Sequence, residues 1–291
     1  MQEIINATVI IPTYQSWNLL EKCLSALQKQ TFESNYEIIV VNNDIDDSIP
    51  ENFKKFEQVR FIQEIKPGSY AARNKGIIEA KGEIIAFTDA DCIPDKNWLE
   101  NGVRALIENP EIGVVAGDVK LFYKDENNLD PVETYDKNTA FKIKEYVSFG
   151  NCVTANWFSY KDTLLKFGMF DQNLKSGGDS KLSQIISSQM PLIFQENAIV
   201  YHPARNKMTQ IKTKYRRIFG GRYINKYQNR KLAFINHTID FIYRRLKFNL
   251  NFLFKGKYKD FFHVSYVHIF LLPHLLFESF KIILTNKTER R

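Results

Sequence analysis

Two carboxylates, Asp89 and Asp91, follow a short apolar run at residues 84–88. Such a run is typical of a buried strand, and alternate residues of an extended chain point the same way. The carboxylates are therefore expected to face one point beyond the carboxyl end of the strand, where open α/β sheets bind ligands. Oxygen ligands of this kind suit Mg²⁺ or Mn²⁺, with substrate phosphates completing the shell. The alternative is a solvated acidic turn that begins the next helix.

The chain up to residue 204 alternates strand and helix patterns, and these elements would position the carboxylates. Short apolar or β-branched runs predict strands at residues 7–11, 36–41, 59–63, 83–88, 113–117, 151–160 and 192–202. Apolar stripes and capping residues predict helices at residues 17–30, 70–80, 94–108 and 180–188. This alternation predicts the α/β class, with a Rossmann-like, mostly parallel sheet covered by helices on both faces.

The net charge of +7 hides an uneven distribution along the chain. Residues 205–291 hold 20 of the 40 Lys and Arg residues but only 4 of the 33 Asp and Glu residues. Such asymmetry marks a separate basic region for an anionic surface, so we predict domains at 1–204 and 205–291. Cys23, Cys92 and Cys152 have neither paired nor metal-like spacing, which favours a reducing compartment.

The basic region is predicted to be helical, and its later part is strongly apolar. Residues 261–284 are long enough to span a bilayer, but they include His263, His268, Pro273, His274, Glu278 and Lys281. An amphipathic helix in the interface of an anionic membrane therefore fits best, with a core helix and a true span as alternatives. Nucleic acid is not expected as a partner, because no nucleic-acid-binding motif accompanies the basic residues. The corresponding location is cytoplasmic, on the inner face of the cell membrane.

Several motifs occur in a fixed order over about residues 5–203. They are Pro12-Thr13-Tyr14, the polar loop Asn42-Asn43-Asp44, Gly68 through Arg73-Asn74, Asp89-Ala90-Asp91, Gly177-Gly178-Asp179 and Tyr201-His202. In this order the chain resembles the family 2 glycosyltransferases of GT-A fold, of the type that builds bacterial surface polysaccharides. The resemblance implies a hexosyltransferase-like enzyme. It would move a sugar from a nucleotide diphosphate sugar to an acceptor hydroxyl, usually with inversion at the anomeric carbon.

The resemblance also implies which residues bind the donor nucleotide. Pro12, Thr13 and Tyr14 would lie beside the base. The family usually places an acidic residue after the second strand, where it accepts from the imide N–H of the base. This chain has Asn42 at that place, with Asp44 as a possible substitute, and a UDP-sugar is the favoured donor.

The metal and the phosphates are assigned by the same resemblance. Asp91 would contact the cation directly, Asp89 would bind the ribose or a metal-bound water, and His202 would complete the metal site. Arg73 would bind the nucleotide or its phosphates, and a structural ion pair is the alternative role for Arg73. The cation, Mn²⁺ or Mg²⁺, would stabilise the leaving nucleoside diphosphate.

The acceptor side depends on Asp179, which matches the general base of similar inverting enzymes. Capping of the next helix is the alternative role for Asp179. Gly178 stands where the family often has Glu, and it would let the backbone approach the acceptor closely. Asn156 and Trp157, on the preceding strand, would line the sugar pocket, although Trp157 is nearly as well explained as a core residue.

The acceptor predicted for this site is a hydroxyl of a glycan or of a lipid-linked sugar. A polyprenyl-phosphate glycosyltransferase is the alternative within the same fold, and its phosphate acceptor has less need of a base. A nucleotidyltransferase is disfavoured, because that class usually has a glycine-rich, basic loop near the first strand, whereas this chain has Pro12-Thr13-Tyr14 there.

Overall fold

The computed structural model describes residues 6–46, 48–286 and 288 of the 291-residue chain. The chain forms two compact units. The first unit comprises Met1–Lys120, Phe141–Leu174 and Gly178–Pro203, and the second comprises Leu121–Ala140, Lys175–Gly177 and Ala204–Arg291. The second unit therefore begins close to the predicted boundary but also takes up two earlier segments of the chain.

The described part of the chain contains eight strands in one sheet. They are β1 (Ala7–Thr13), β2 (Tyr36–Asn42), β3 (Val59–Gln63), β4 (Ile84–Thr88), β5 (Ile93–Pro94), β6 (Val114–Phe122), β7 (Asn156–Tyr160) and β8 (Leu192–Pro203). Their order across the sheet is β3-β2-β1-β4-β7-β6-β8-β5. Strands β3, β2, β1 and β4 are parallel, whereas β7 is antiparallel to β4 and β6, and β5 is antiparallel to β8. The predicted α/β class and the parallel core of the sheet are confirmed.

The helices account for most of the remaining described chain. They are α1 (Trp17–Leu27), α2 (Ser69–Glu79), α3 (Trp98–Ile107), α4 (Pro131–Thr139), α5 (Ile143–Ser148), α6 (Lys161–Lys166), α7 (Gly178–Ser187), α8 (Met208–Arg222), α9 (Lys231–Phe254) and α10 (Tyr258–Thr285). Two differences from the sequence predictions stand out. Residues 93–94 pair with β8 instead of beginning a helix, and the strand expected at 151–160 is confined to its second half.

The parallel strands form because their residues are apolar on both faces. Ile10 of β1 pairs in register with Ile39 of β2 and with Phe87 of β4, and all three side chains are fully buried. Pro12 is accommodated in this central strand because the pairing of β1 with β4 ends at Ile10. Its missing N–H therefore costs no ladder bond on that side.

The helices of the first unit bury the stripes that their sequences predict. Helix α1 turns Leu20, Leu24 and Leu27 to the sheet, and they belong to the main core. Helix α2 begins after Gly68, whose φ of +133° is readily adopted only by glycine. The three cysteines are buried and free, so no disulfide forms.

The second unit packs around α10 and includes α4, a helix that the sequence analysis did not predict. Asp130 accepts hydrogen bonds from the backbone N–H groups of Val132 and Glu133, and the Glu133 side chain accepts from the N–H of Asp130. This capping box, together with Pro131 at the first helical position, starts the helix. Helices α8 and α10 pack on α4, which draws residues 121–140 into the second unit.

Helix α10 matches the apolar segment singled out at 261–284. Its buried side chains include Val264, Val267, Leu271 and Leu275, which contribute to the core of the second unit. Within the described residues it is the one helix that is long and apolar enough to cross a membrane, judged by length and composition. Only 39% of its most apolar window is buried inside the protein.

Candidate active site

The candidate site lies where β1, β2 and β4 end and where α2 and α7 begin. The chain leaves β4 at Thr88 and turns at once, because the N–H of Cys92 donates to the carbonyl of Asp89 (3.0 Å). Asp89 and Asp91 therefore lie in a turn and not in extended chain. The expectation that they project from an extended strand is therefore wrong, and the two carboxylates have different partners.

Asp89 is paired with Arg73 on helix α2. The Arg73 Nη2 lies 2.5 Å from the Asp89 Oδ1. The arginine side chain is 5% exposed and the carboxylate is 33% exposed, so the pair lies at the floor of the site. This ion pair is the role that the sequence analysis gave for Arg73 as the alternative to binding the nucleotide or its phosphates. The buried Arg73 Nε has no hydrogen-bond partner in the described residues, so part of this guanidinium stays unsatisfied.

Asp91 lies beside His202, near the end of strand β8. The His202 Nε2 is 3.5 Å from the Asp91 Oδ2. The His202 Nδ1 lies 2.8 Å from the backbone oxygen of Pro203. Because a carbonyl only accepts, Nδ1 donates to it, which leaves Nε2 as the ring nitrogen that faces the Asp91 carboxylate. Phe141 packs against the imidazole, with ring centroids 4.9 Å apart, and limits its rotation.

These two groups fit a divalent cation as neighbouring ligands. Two ligand atoms bound at about 2.1 Å and a right angle lie roughly 3 Å apart, close to the separation found here. Among residues 6–46, 48–286 and 288, no group of three His, Cys, Asp or Glu side chains could hold a metal ion alone. A cation at Asp91 and His202 would therefore complete its shell with oxygens of water or of a substrate.

Asp179 lies in the first turn of α7 and is held by two donors. Its Oδ1 accepts from the N–H of Ser180 (2.9 Å) and from the hydroxyl of Tyr70 (3.2 Å). Burial raises the pKa of Asp179. The Ser180 N–H, the positive charge of Arg73 and the Tyr70 hydroxyl lower it, and the charge of Asp89 raises it further. A carboxylate with a raised pKa is suited to accept a proton.

The loop after β1 and the loop after β2 join at the same edge of the sheet. The N–H of Asn43 donates to the carbonyl of Thr13 (2.9 Å), and the hydroxyl of Thr13 is buried without a hydrogen-bond partner in the described residues. Pro12 is partly buried beside it, and the neighbouring Tyr14 is 37% exposed. These residues are therefore close to the loop Asn42-Asn43-Asp44, as the motif order suggested.

In this loop Asn42 and Asp44 are both buried. The Asn42 Oδ1 accepts from the N–H of Asp44 (3.1 Å), so the amide oxygen is used inside the loop. The Asp44 Oδ2 accepts from the Gln15 Nε2 (2.6 Å). Asp44 thus supplies a carboxylate close to Thr13 and Tyr14. The sequence analysis had named Asn42 first for binding the base, with Asp44 as its substitute.

Asn156 and Trp157 lie in the core. Both side chains are fully buried. The Asn156 amide accepts from the indole N–H of Trp98 (2.8 Å) and donates to two backbone oxygens. The Trp157 indole donates to Ser159 (2.7 Å) and packs edge-on against Phe87. These contacts explain both residues as members of the core and not as lining of the sugar pocket. A core position was the alternative role that the sequence analysis gave for Trp157.

Two residues that sequence reasoning overlooked organise the site. The Asn43 side chain donates to the backbone oxygens of Glu64 and Lys66 (both 2.8 Å) and accepts from the N–H of Gly68 (2.6 Å). It thereby ties the end of β2 to the start of α2. Tyr70 joins α2 to Asp179. The only sequence signal was their position within recognised motifs, since neither contact is local in sequence.

The chain is similar to known proteins in sequence and in structure. Residues 8–164 match the family model described as "Glycosyl transferase family 2". The protein named "Glycosyltransferase AglE" of Haloferax volcanii is 36% identical over 217 residues, which covers 72% of this chain and 70% of that protein.

Solved structures share the fold at low sequence identity. The mannosyltransferase PcManGT from Pyrobaculum calidifontis, in complex with GDP-Man and Mn²⁺, superposes with a TM-score of 0.63 and 17% identity, over 98% of this chain and 89% of that one. GalNAc-T7 with UDP, GalNAc and Mn²⁺ superposes with a TM-score of 0.56 and 16% identity, over 70% of this chain and 45% of that one. These likenesses show the GT-A fold.

Proposed function

Because the chain belongs to glycosyltransferase family 2, we propose that it transfers a sugar from a nucleotide diphosphate sugar to an acceptor hydroxyl with inversion, and that Asp179 is the general base. The observation that carries this proposal is the placement of Asp179. Its pKa is raised by burial, and Tyr70 and Ser180 hold the carboxylate in place.

The proposed reaction is a single displacement. The acceptor oxygen attacks the anomeric carbon while the bond from that carbon to the diphosphate breaks, and the electron pair of that bond leaves with the diphosphate. Asp179 takes the proton from the acceptor hydroxyl as the new bond forms. The diphosphate leaves as an anion, so no protein group needs to protonate it.

Asp91 and His202 would hold the divalent cation, either Mn²⁺ or Mg²⁺. When bound, it supplies Lewis-acid stabilisation of the charge on the departing diphosphate. The Nδ1 bond to the Pro203 oxygen leaves Nε2 as the nitrogen that would bind the cation, and imidazole favours Mn²⁺ over Mg²⁺. Arg73 holds Asp89, and we propose that this pair contacts the ribose or the phosphates.

A UDP-sugar is the proposed donor. Asp44 is proposed to accept from the imide N–H of the base, beside Pro12, Thr13 and Tyr14, because its carboxylate is held at that edge by Gln15. One structural neighbour was solved with UDP and another with GDP-Man, so UDP requires a direct test.

Ligand-dependent stabilisation tests the donor and the metal together, because a ligand that binds only the folded state raises the melting temperature. We expect UDP with Mn²⁺ to raise it more than GDP with Mn²⁺ or UDP with chelator. Asp91→Ala should abolish the metal-dependent part of the shift. A larger shift with GDP would overturn the donor assignment, and an unchanged shift in Asp91→Ala would overturn the metal assignment.

Turnover tests the chemistry. With donor and a lipid-linked saccharide acceptor, we expect release of nucleoside diphosphate, an inverted product and near-complete loss of turnover in Asp179→Asn. Asp162→Asn is the matched control, since Asp162 is an exposed carboxylate in the first turn of α6. Turnover of Asp179→Asn close to that of the control would reject the base. Full activity of the same variant on polyprenyl phosphate would favour a phosphate acceptor.

We also propose that the second unit binds an anionic membrane surface from the cytoplasmic side. Helix α10 turns one apolar face to the core and the opposite face to solvent. The exposed face is made of Tyr258, Phe262, Tyr266, Ile269, Phe270, Leu276, Phe277, Phe280 and Leu284. An apolar stripe of this length on one helix is typical of an interfacial helix.

Helix α9 carries a second exposed stripe, which the sequence analysis did not single out. Its members recur every three or four residues: Leu232, Ile235, Ile239, Tyr243, Leu246, Leu250 and Leu253. The surrounding region is strongly basic, and each basic residue near an anionic membrane contributes about 1 kcal/mol. Apolar stripes and positive charge together favour an anionic bilayer as the partner.

Flotation with vesicles tests this proposal on the full chain. We expect binding to phosphatidylglycerol vesicles and its loss in the triple variant Phe262→Gln, Ile269→Gln and Phe277→Gln. The control is a triple variant of exposed side chains in the first unit: Ile65→Gln, Ile78→Gln and Ile107→Gln. Failure of the wild-type chain to float, or equal flotation of both triple variants, would overturn it.

A further inference from the structure

Tyr70 bridges two elements at Asp179. Its hydroxyl accepts the N–H of Gly178 (2.9 Å) and donates to the Asp179 Oδ1 (3.2 Å). The ring is buried and stacks on Phe170, with centroids 5.6 Å apart and planes inclined by 18°. The position of the hydroxyl is therefore set by the ring stack and by helix α2, and its single proton is directed at the carboxylate.

We infer that Tyr70 is a positioning residue for the general base, which aims the Asp179 carboxylate and keeps it ionised by donating a hydrogen bond. This inference rests on the proposed role of Asp179. It adds a residue that sits 109 positions away in sequence and to which the sequence analysis gave no role.

The Tyr70 ring packs so closely on Gly178 that the two residues depend on each other. A Cβ atom at Gly178 would lie 2.7–2.9 Å from three atoms of the Tyr70 ring. Real side chains do not come so close, so any other residue at 178 would displace the ring. The tyrosine ring therefore occupies the space that a side chain at 178 would need, and its hydroxyl binds the backbone there.

The hydrogen bond from Tyr70 opposes the groups that raise the pKa of Asp179. Burial and the charge of Asp89 raise the pKa of Asp179, while the Ser180 N–H, the Arg73 charge and the Tyr70 hydroxyl lower it. Cys152 also lies near Asp179, and burial raises the pKa of its thiol, so it stays neutral. The pKa of Tyr70 is also raised by burial, which keeps its proton available at neutral pH.

The test is the pH dependence of kcat/KM in Tyr70→Phe. This variant keeps the ring and its stacking but removes the proton donated to Asp179. We expect the acidic limb of the profile to move up by roughly one to two pH units, since a hydrogen bond to a charged group lowers a carboxyl pKa by about this much. The loss should be in kcat, with the KM for donor unchanged.

Tyr36→Phe is the matched control. The Tyr36 hydroxyl also makes one hydrogen bond, to the backbone oxygen of Leu27 (2.7 Å), at the opposite end of the sheet. Its profile should overlay that of the wild type. Gly178→Ala, which forces the Tyr70 ring aside, should move the limb in the same direction as Tyr70→Phe.

The outcomes separate this inference from the function on which it rests. Near-wild-type turnover in Asp179→Asn would reject the base itself, whatever Tyr70→Phe does. Loss of turnover in Asp179→Asn, with a Tyr70→Phe profile that overlays Tyr36→Phe, would reject the positioning role alone. A uniform fall in rate at all pH values, without movement of the acidic limb, would indicate a structural role and would also overturn the inference.

Discussion

Replacing Arg73 by Met is expected to lower the free energy of unfolding. It should also move the acidic limb of the pH–rate profile to higher pH. Arg73 is 5% exposed and neutralises Asp89, and its charge lowers the pKa of Asp179. Methionine keeps most of the side-chain length and apolar contact but has no charge. The variant therefore leaves Asp89 without its counter-charge and leaves Asp179 with less stabilisation of its ionised form.

The size of the stability loss follows from the burial of the pair. Removing one partner of a fully buried ion pair costs about 3–5 kcal/mol. Because Asp89 is 33% exposed, water can replace part of the lost interaction, so we expect about 2 kcal/mol. The pKa of Asp179 should rise when the Arg73 charge is removed, and the acidic limb of kcat/KM should move to higher pH.

Urea unfolding at pH 7.5 measures the loss of stability, and a pH–rate profile measures the shift of the acidic limb. Arg73→Lys is the control, since it keeps the charge but loses the planar donor geometry. It should keep the acidic limb near the wild-type position while losing part of the stability. A Met variant as stable as the wild type, with an unmoved acidic limb, would refute the reasoning about this pair.

Three further predictions concern stability. Asp179→Asn should be more stable than the wild type at pH 7.5 but not at pH 4, by urea unfolding. The folded-state pKa of Asp179 is raised, so stability falls as pH rises through the window between the ordinary and the raised value, and Asn lacks this loss. Asp136→Asn should lose about 3–5 kcal/mol in the same assay, because it leaves Arg205 and Lys214 without their fully buried counter-charge. Asp130→Ala should lose about 1 kcal/mol in thermal unfolding, because it removes the cap of α4.

The predicted strands and helices of the first unit were largely confirmed, because their signals are local. Residues 38–41 are all apolar and buried, as in a central parallel strand, and the stripe of α1 repeats at helical spacing. Helix α4 was missed although its capping box is a local signal, since the segment has little apolar periodicity and gains its place by packing on α8 and α10.

The amino-acid sequence alone was enough to predict the α/β class, the family and the cluster of polar motifs at the carboxyl ends of the strands. It did not determine how these side chains pair. Asp89 with Arg73, Asp91 with His202, and Asp179 with Tyr70 are contacts between distant segments. Secondary structure follows from the spacing of neighbouring side chains, whereas the partner of a charge depends on which distant segments the folded core brings within hydrogen-bond reach.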